Sequence, residues 1–135
     1  MNDDIENQIT QLTKVLYGQG TSTEFGCSDE DVDTMKAFCQ KLEPYKPYCV
    51  VKHWTIWDIQ TPVITEGKHP PMALIKADHI LDDELQRFPV GGWVRSTAIV
   101  EIYKNCIFRT NNSSYILVGS GTRKNVDLDD VGRFF

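Results

Sequence analysis

The side chains able to make or break a bond are few and scattered. His53, His69 and His79 are the only imidazoles, and Cys27, Cys39, Cys49 and Cys106 the only thiols. A nucleophile needs a base within hydrogen-bond reach, and Cys49 with His53 or His79 is the one such pairing the sequence suggests. Each histidine has a plainer place: His53 beside Trp54 in an apolar run, His69 among prolines, His79 next to Asp78. The cysteines form no C-x-x-C pair and no zinc spacing, so buried, reduced thiols are expected, although an even count also permits two disulfides in any of three pairings.

Two further groupings resemble ligand sites without meeting their requirements. Asp78, His79, Asp82 and Asp83 gather oxygens, but the stretch lacks the glycine and the terminal glutamate of an EF-hand loop, and it reads as a solvated acidic turn. The run G-S-G-T-R-K at 119–124 offers backbone donors and two cations to an anion, yet it lacks P-loop spacing and no long helix follows it. A hairpin turn is the expectation there, and neither a metal nor a cofactor is expected. That leaves Trp54, Trp57 and Trp93, since aromatic side chains supply large contact area with few rotamers to freeze. Trp54 and Trp57 lie three apart and must face opposite ways on a strand. One fills the core, and Trp57 is assigned to a surface contact.

The elements that must position these groups follow from periodicity. Ile5, Ile9, Leu12 and Leu16 recur at helical spacing behind a cap at Asp3 or Asp4, and Gly18 and Gly20 end that helix. S-D-E-D at 28–31 is a capping pattern with acids in the first turn, opening a second helix that buries Val32, Met35, Phe38 or Cys39, and Leu42, and stops before Pro44. Residues 48–59 form a strand with Val51, His53, Thr55, Trp57 and Ile59 on one face and Val50, Trp54 and Ile56 on the other, so both faces are covered. Four markers, Pro62, Gly67, Pro70 and Pro71, make 60–71 a loop before a short strand at 72–77. Residues 78–88 fit either a helical stripe or a turn between extended pieces.

Residues 93–103, 106–110 and 115–118 alternate in character and are separated by Lys104-Asn105 and by Asn111-Asn112-Ser113, which predicts an antiparallel meander. Pairing across a two-residue Lys104-Asn105 turn sets Arg109 opposite Val100 and leaves Arg95 beyond the partner strand. Val126 adds a brief strand, and Asp127 or Asp129 caps a last turn. The fold class expected is α+β: a single domain over residues 1–135, with two N-terminal helices (1–43) on a strongly bent antiparallel sheet or small SH3-like barrel (48–126). With 135 residues, 41% of them hydrophobic, the chain has enough apolar material for one core.

Charge is unevenly spread. Residues 1–60 carry ten acids against five bases, whereas 91–126 carry Glu101 alone against Arg95, Lys104, Arg109, Arg123 and Lys124. Acidic surfaces dock on proteins, and basic strands bind phosphate. The sequence therefore points to Asp29, Glu30, Asp31, Asp33 and Trp57 as a protein-binding set, with Arg95, Arg109, Arg123 and Lys124 as an alternative nucleic-acid contact. No apolar run approaches the roughly 20 residues that span a bilayer, and the first residues are acidic where a secretory signal is basic, so no membrane contact and a cytoplasmic setting are expected.

The run G-G-W-V-R-S-T at 91–97, with F-R-T-N-N-S-S-Y-I-L at 108–117 and G-S-G at 119–121, resembles uncharacterised small accessory proteins of bacteria, phages and plasmids. In these a V-R-T-S strand precedes a T-x-N-S-x-Y hairpin. The likeness covers about a quarter of the chain, and this sequence swaps Ser96 and Thr97 and lengthens the turn. It implies a mobile-element or accessory protein and carries no catalytic residue across. With the residues it points to a non-enzymatic binding protein, a small inhibitor or accessory factor of counter-defence or immunity type.

Overall fold

The computed structural model describes residues 2–18 and 20–135. Helix α1 (Asn2–Tyr17) and the two-residue strand β1 (Thr21–Ser22) precede a single 3-10 turn (Asp29–Asp31) and α2 (Val32–Leu42). Then come β2 (Tyr48–Gln60), the short helix α3 (Pro62–Thr65), β3 (Ala73–Asp83), β4 (Val94–Arg95), β5 (Glu101–Tyr103), β6 (Ile107–Arg109), β7 (Ser114–Leu117), β8 (Thr122–Asp127) and α4 (Leu128–Phe134). The class is mixed α+β, with a strongly curled open sheet forming a half-barrel. Helices are not confined to the amino-terminal part: α3 lies where a loop was expected, opened by Pro62 with its pre-set φ, and α4 extends the last turn into a helix. Among the described residues, no helix is long and apolar enough to cross a membrane.

β2 organises the sheet. One edge pairs antiparallel with β3; the other pairs parallel with β7 over Tyr48 to Val51 and then with β8 over Thr55 to Gln60. The sheet is thus mixed, and the expectation of a purely antiparallel one is corrected. β7 and β8 are successive pieces of one extended run, interrupted opposite His53. The meander does form as β5–β6–β7, but its first strand starts late. The buried Ser96 hydroxyl accepts from the Ile75 N–H at 2.8 Å and donates to the Thr97 carbonyl at 2.7 Å, replacing a backbone rung. Past that point the Ile99 N–H still bonds Ala73, whereas the Val100 N–H bonds Arg109. One extended segment therefore crosses from β3 to β6 and laces the curl together.

Strict alternation fails in the middle of β2. His53 adopts φ 53°, a left-handed conformation that is strained for a residue with a Cβ. Cys49, Val51, Trp54 and Ile56 consequently share the inner face, while Val50, Trp57 and Ile59 lie outside. Phe108, Tyr115, Leu117, Ile75, Ala77, Ile80 and Val94 complete the interior. The outer face is covered twice. α2 lays Val32, Met35, Phe38 and Cys39 against Val50, Ile107 and Ile116, leaving Leu42 38% exposed, outside the stripe expected of it. α1 and α4 bring Val15 and Val131 onto Trp57, Ile59, Leu74 and Val126. Burying each of these large apolar side chains contributes about 1.5–3 kcal/mol, so the short strands are held on the long β2–β3 pair from both faces.

The turn chemistry also departs from expectation at two places. Ser28 does not cap a backbone N–H; its Oγ donates to the Asp31 carboxylate at 3.1 Å, and the helix opens through the 3-10 turn. At the β5–β6 turn Lys104 and Asn105 both have positive φ, and Cys106 is an additional turn residue, so Tyr103 pairs with Ile107 and Arg109 with Glu101, not Val100.

Candidate functional site

On the outer face, where α1, α4 and the 84–93 loop meet, lies an open groove of about 530 Å³. Leu12 and Leu16, the carboxyl-terminal half of the α1 stripe, form one wall. Trp93 forms the other, following Gly91 and Gly92, which fold the chain back through the Gly92-to-Pro89 and Gly91-to-Ile80 hydrogen bonds. Phe134 and Phe135 add apolar lining from α4 and the residue after it, and Lys76 and Asp78 supply the polar part from β3.

Aromatic rings connect this groove to the core. Trp57 lies edge-to-face with Phe135 at 5.1 Å, and Phe135 with Trp93 at 5.9 Å. Trp93 keeps 55% of its surface exposed although its ring is held by Phe135 and by the Lys76 ammonium, 5.4 Å from its centroid. The Lys76 side chain is nearly buried and pairs with Asp78, whose carboxylate faces solvent. Nearby Lys124 holds its ammonium on the Lys14 and Gly18 carbonyls at 3.1 and 3.3 Å, finishing α1. Burial, and then the Lys76 charge, push its pKa down. The lining residues include no thiol and no imidazole. What the groove offers is apolar area, one ring face, one shielded cation and one carboxylate.

The residues singled out from sequence fare differently. Asp29, Glu30, Asp31 and Asp33 stand exposed at the start of α2, with Asp29 3.8 Å from Lys52; none lines the groove. Trp57 is corrected outright: it is 1% exposed beneath Phe135 and cannot meet a partner. The basic set is not a free stripe either. Arg109 is buried between Glu43 and Glu101. Arg123 makes a two-pronged bond to Asp58 at 2.6 and 2.8 Å, Arg95 bonds the Ser96 and Phe135 carbonyls, and Lys124 caps α1. Acids distant in sequence supply much of this neutralisation, which a count within one segment misses.

Cys49 faces the interior, its thiol pushed up to about 12 by burial and then by Asp83, while His53 projects outward, 6.1 Å from the His79 ring. The fold does not bring them together. His69 bonds the Pro70 carbonyl in an exposed loop. Asp82 pairs with Lys36, Asp83 with Arg87 and Asp78 with Lys76, so the acidic run is dispersed. Among the described residues no group of three or more His, Cys, Asp or Glu is placed to hold a metal ion. The hairpin turn expected at 119–124 does not form, because β7 and β8 run in the same direction along β2 and 122–124 belong to β8; the Gly119 N–H donates to the Cys27 carbonyl, so a backbone donor counted toward an anion is occupied. Lys76, Phe134 and Phe135 were missed in the sequence; an apolar carboxyl-terminal pair and a lysine within an apolar strand were the available signals.

Comparison with the curated proteins and with the solved structures finds no match. Residues 24–133, which leave α1 outside, match a family profile, and the chain belongs to the family described as Domain of unknown function (DUF6957).

Proposed function

We propose that this is a non-enzymatic binding protein, a small inhibitor or accessory factor of mobile-element type that works in the cytoplasm through contact with another protein. The observation that carries this reading is Trp93: a large ring more than half exposed, yet pinned by Phe135 and Lys76 at the lip of an apolar groove. A ring held in place loses little entropy on binding and buries large area, which is the profile of an interface anchor. Trp93 takes the role first given to Trp57. The exposed acids at 29, 30, 31 and 33 act at longer range by steering approach.

The test is quantitative affinity capture with tagged wild-type protein, Trp93→Ala, and a variant with all four acids changed to lysine. A protein enriched by wild type should fall at least about tenfold with Trp93→Ala, as expected for loss of a hot spot. It should fall less, and in a salt-dependent way, with the four-lysine variant. Since Trp93 is half exposed, its removal is expected to leave the melting temperature within about 3 °C. If every enriched protein is retained by the folded Trp93→Ala variant, the proposal fails.

A further inference from the structure

Cys27 and Cys106 lie far apart in sequence but meet at one point of the sheet. The Leu117 N–H donates to the Cys106 carbonyl at 2.9 Å, and the Leu117 carbonyl accepts from the Cys27 N–H at 2.9 Å. The two peptide groups of an extended residue point to the same edge, so Cys106 and Cys27 are successive neighbours along one side of the β7 run. Gly26 N–H to Asn105 carbonyl, 3.0 Å, ties the two segments directly. Both side chains belong to the same apolar cluster, and each thiol bears on the other. Gly26 has φ 114°, and a Cβ there would stand 2.1 Å from the Gly119 carbonyl oxygen. Only glycine lets the chain come this close beside Cys27.

We propose that Cys27 and Cys106 form a peroxide-driven, reducible disulfide that fastens the α1–α2 connection to the β5–β6 turn. Cys27 is the half-buried member and meets the oxidant first. Its thiolate attacks hydrogen peroxide, taking one oxygen to become a sulfenic acid and releasing one water once the proton is counted. The Cys106 sulfur then attacks the Cys27 sulfur; the S–S bond forms, the S–O bond breaks, and hydroxide leaves with the Cys106 proton as a second water. A dithiol reductant returns both thiols. Cys39, the third thiol of the cluster, lies on α2 and makes no backbone bond to this edge.

Burial raises the Cys27 pKa and pushes Cys106 up to about 12, so the thiolates are scarce at neutral pH and the reaction is slow there. The rate should climb about tenfold from pH 7 to pH 8 because the attacking species is the thiolate.

The full chain is treated with hydrogen peroxide, alkylated, digested and analysed by mass spectrometry. The expected product is a Cys27–Cys106 linked peptide lacking two hydrogens. It should disappear with dithiothreitol and in Cys27→Ser and Cys106→Ser, and persist in Cys39→Ser. The linked protein should melt at least about 5 °C higher, because the bond closes a long loop of the unfolded chain. Linkage through Cys39, or oxidation to sulfinic acids without a link, overturns the proposal. A Cys27–Cys106 link with an unchanged or lowered melting temperature overturns the fastening it is assigned.

Discussion

Gly121→Ala is expected to cost about 2–3 kcal/mol of folding stability, a large effect for one added methyl group. A Cβ at Gly121 would stand 2.4 Å from two carbons of the Trp54 ring system and 2.6 Å from a third. Trp54 has no room to yield. It is 2% exposed at the centre of the interior cluster, and its indole N–H donates to the Val118 carbonyl at 3.2 Å. That carbonyl lies where the β7–β8 run breaks away from β2, so the indole fills and satisfies the break in the sheet. Urea unfolding should show a lower midpoint with an unchanged slope. Trp54→Phe, which shortens the ring system, should relieve part of the damage, so the double variant is less unstable than the sum of the two singles. Strictly additive losses would mean that the methyl group and the indole do not meet.

The same spot explains how much of this fold could be read from the chain. Helices α1 and α2 were legible because their apolar residues recur at helical spacing and because Pro44 sets a stop. β2 was legible as a strand covered on both faces. Its face assignment was not, because the phase change rests on the φ of His53, and although histidine enters the left-handed region more readily than most side chains, it does so too rarely for a histidine inside a strand to mark the spot. The parallel pairing of β2 with β7 and β8 joins residues more than sixty positions apart, and no local pattern encodes it. Residues 78–88, open between helix and turn, divide into the end of β3 and a turn, because Ile80 is needed in the inner cluster of the curled sheet. The site was half legible. Trp93 stood out by type, but its exposure depends on the Gly91-Gly92 reversal and on Phe135 arriving from the far end of the chain. The basic stripe dissolved because Glu43 and Asp58, which belong to the acidic 1–60 segment, reach across to Arg109 and Arg123 in the basic one.

The loop that carries Trp93 is anchored at its start by an ion pair, and Asp83→Ala is expected to destabilise the protein by about 2–4 kcal/mol, less than the full cost of breaking a buried pair because the Arg87 side chain left behind is 29% exposed. The Asp83 side chain is fully buried. It accepts from Arg87 three times: Nη2 at 2.6 Å, Nε at 3.0 Å and the backbone N–H at 2.7 Å. Arg87 also donates to Ser113 at 2.7 Å, tying the loop to the β6–β7 turn. Burial by itself would raise the Asp83 pKa, but the Arg87 side-chain and backbone hydrogen bonds and the guanidinium charge outweigh it and hold the carboxyl below its ordinary value. The unfolded chain therefore binds this proton at a higher pH than the folded one. The stabilisation is complete above the unfolded value of about 4 and disappears as pH falls through the lower folded value. Asp83→Asn keeps the shape and removes the charge. Its deficit against wild type, followed by thermal melting from pH 7 to pH 2, should be constant down to about pH 5 and then shrink. A deficit that stays the same at pH 2 would show that the Asp83 charge does not stabilise the fold and that the loop is held by packing alone.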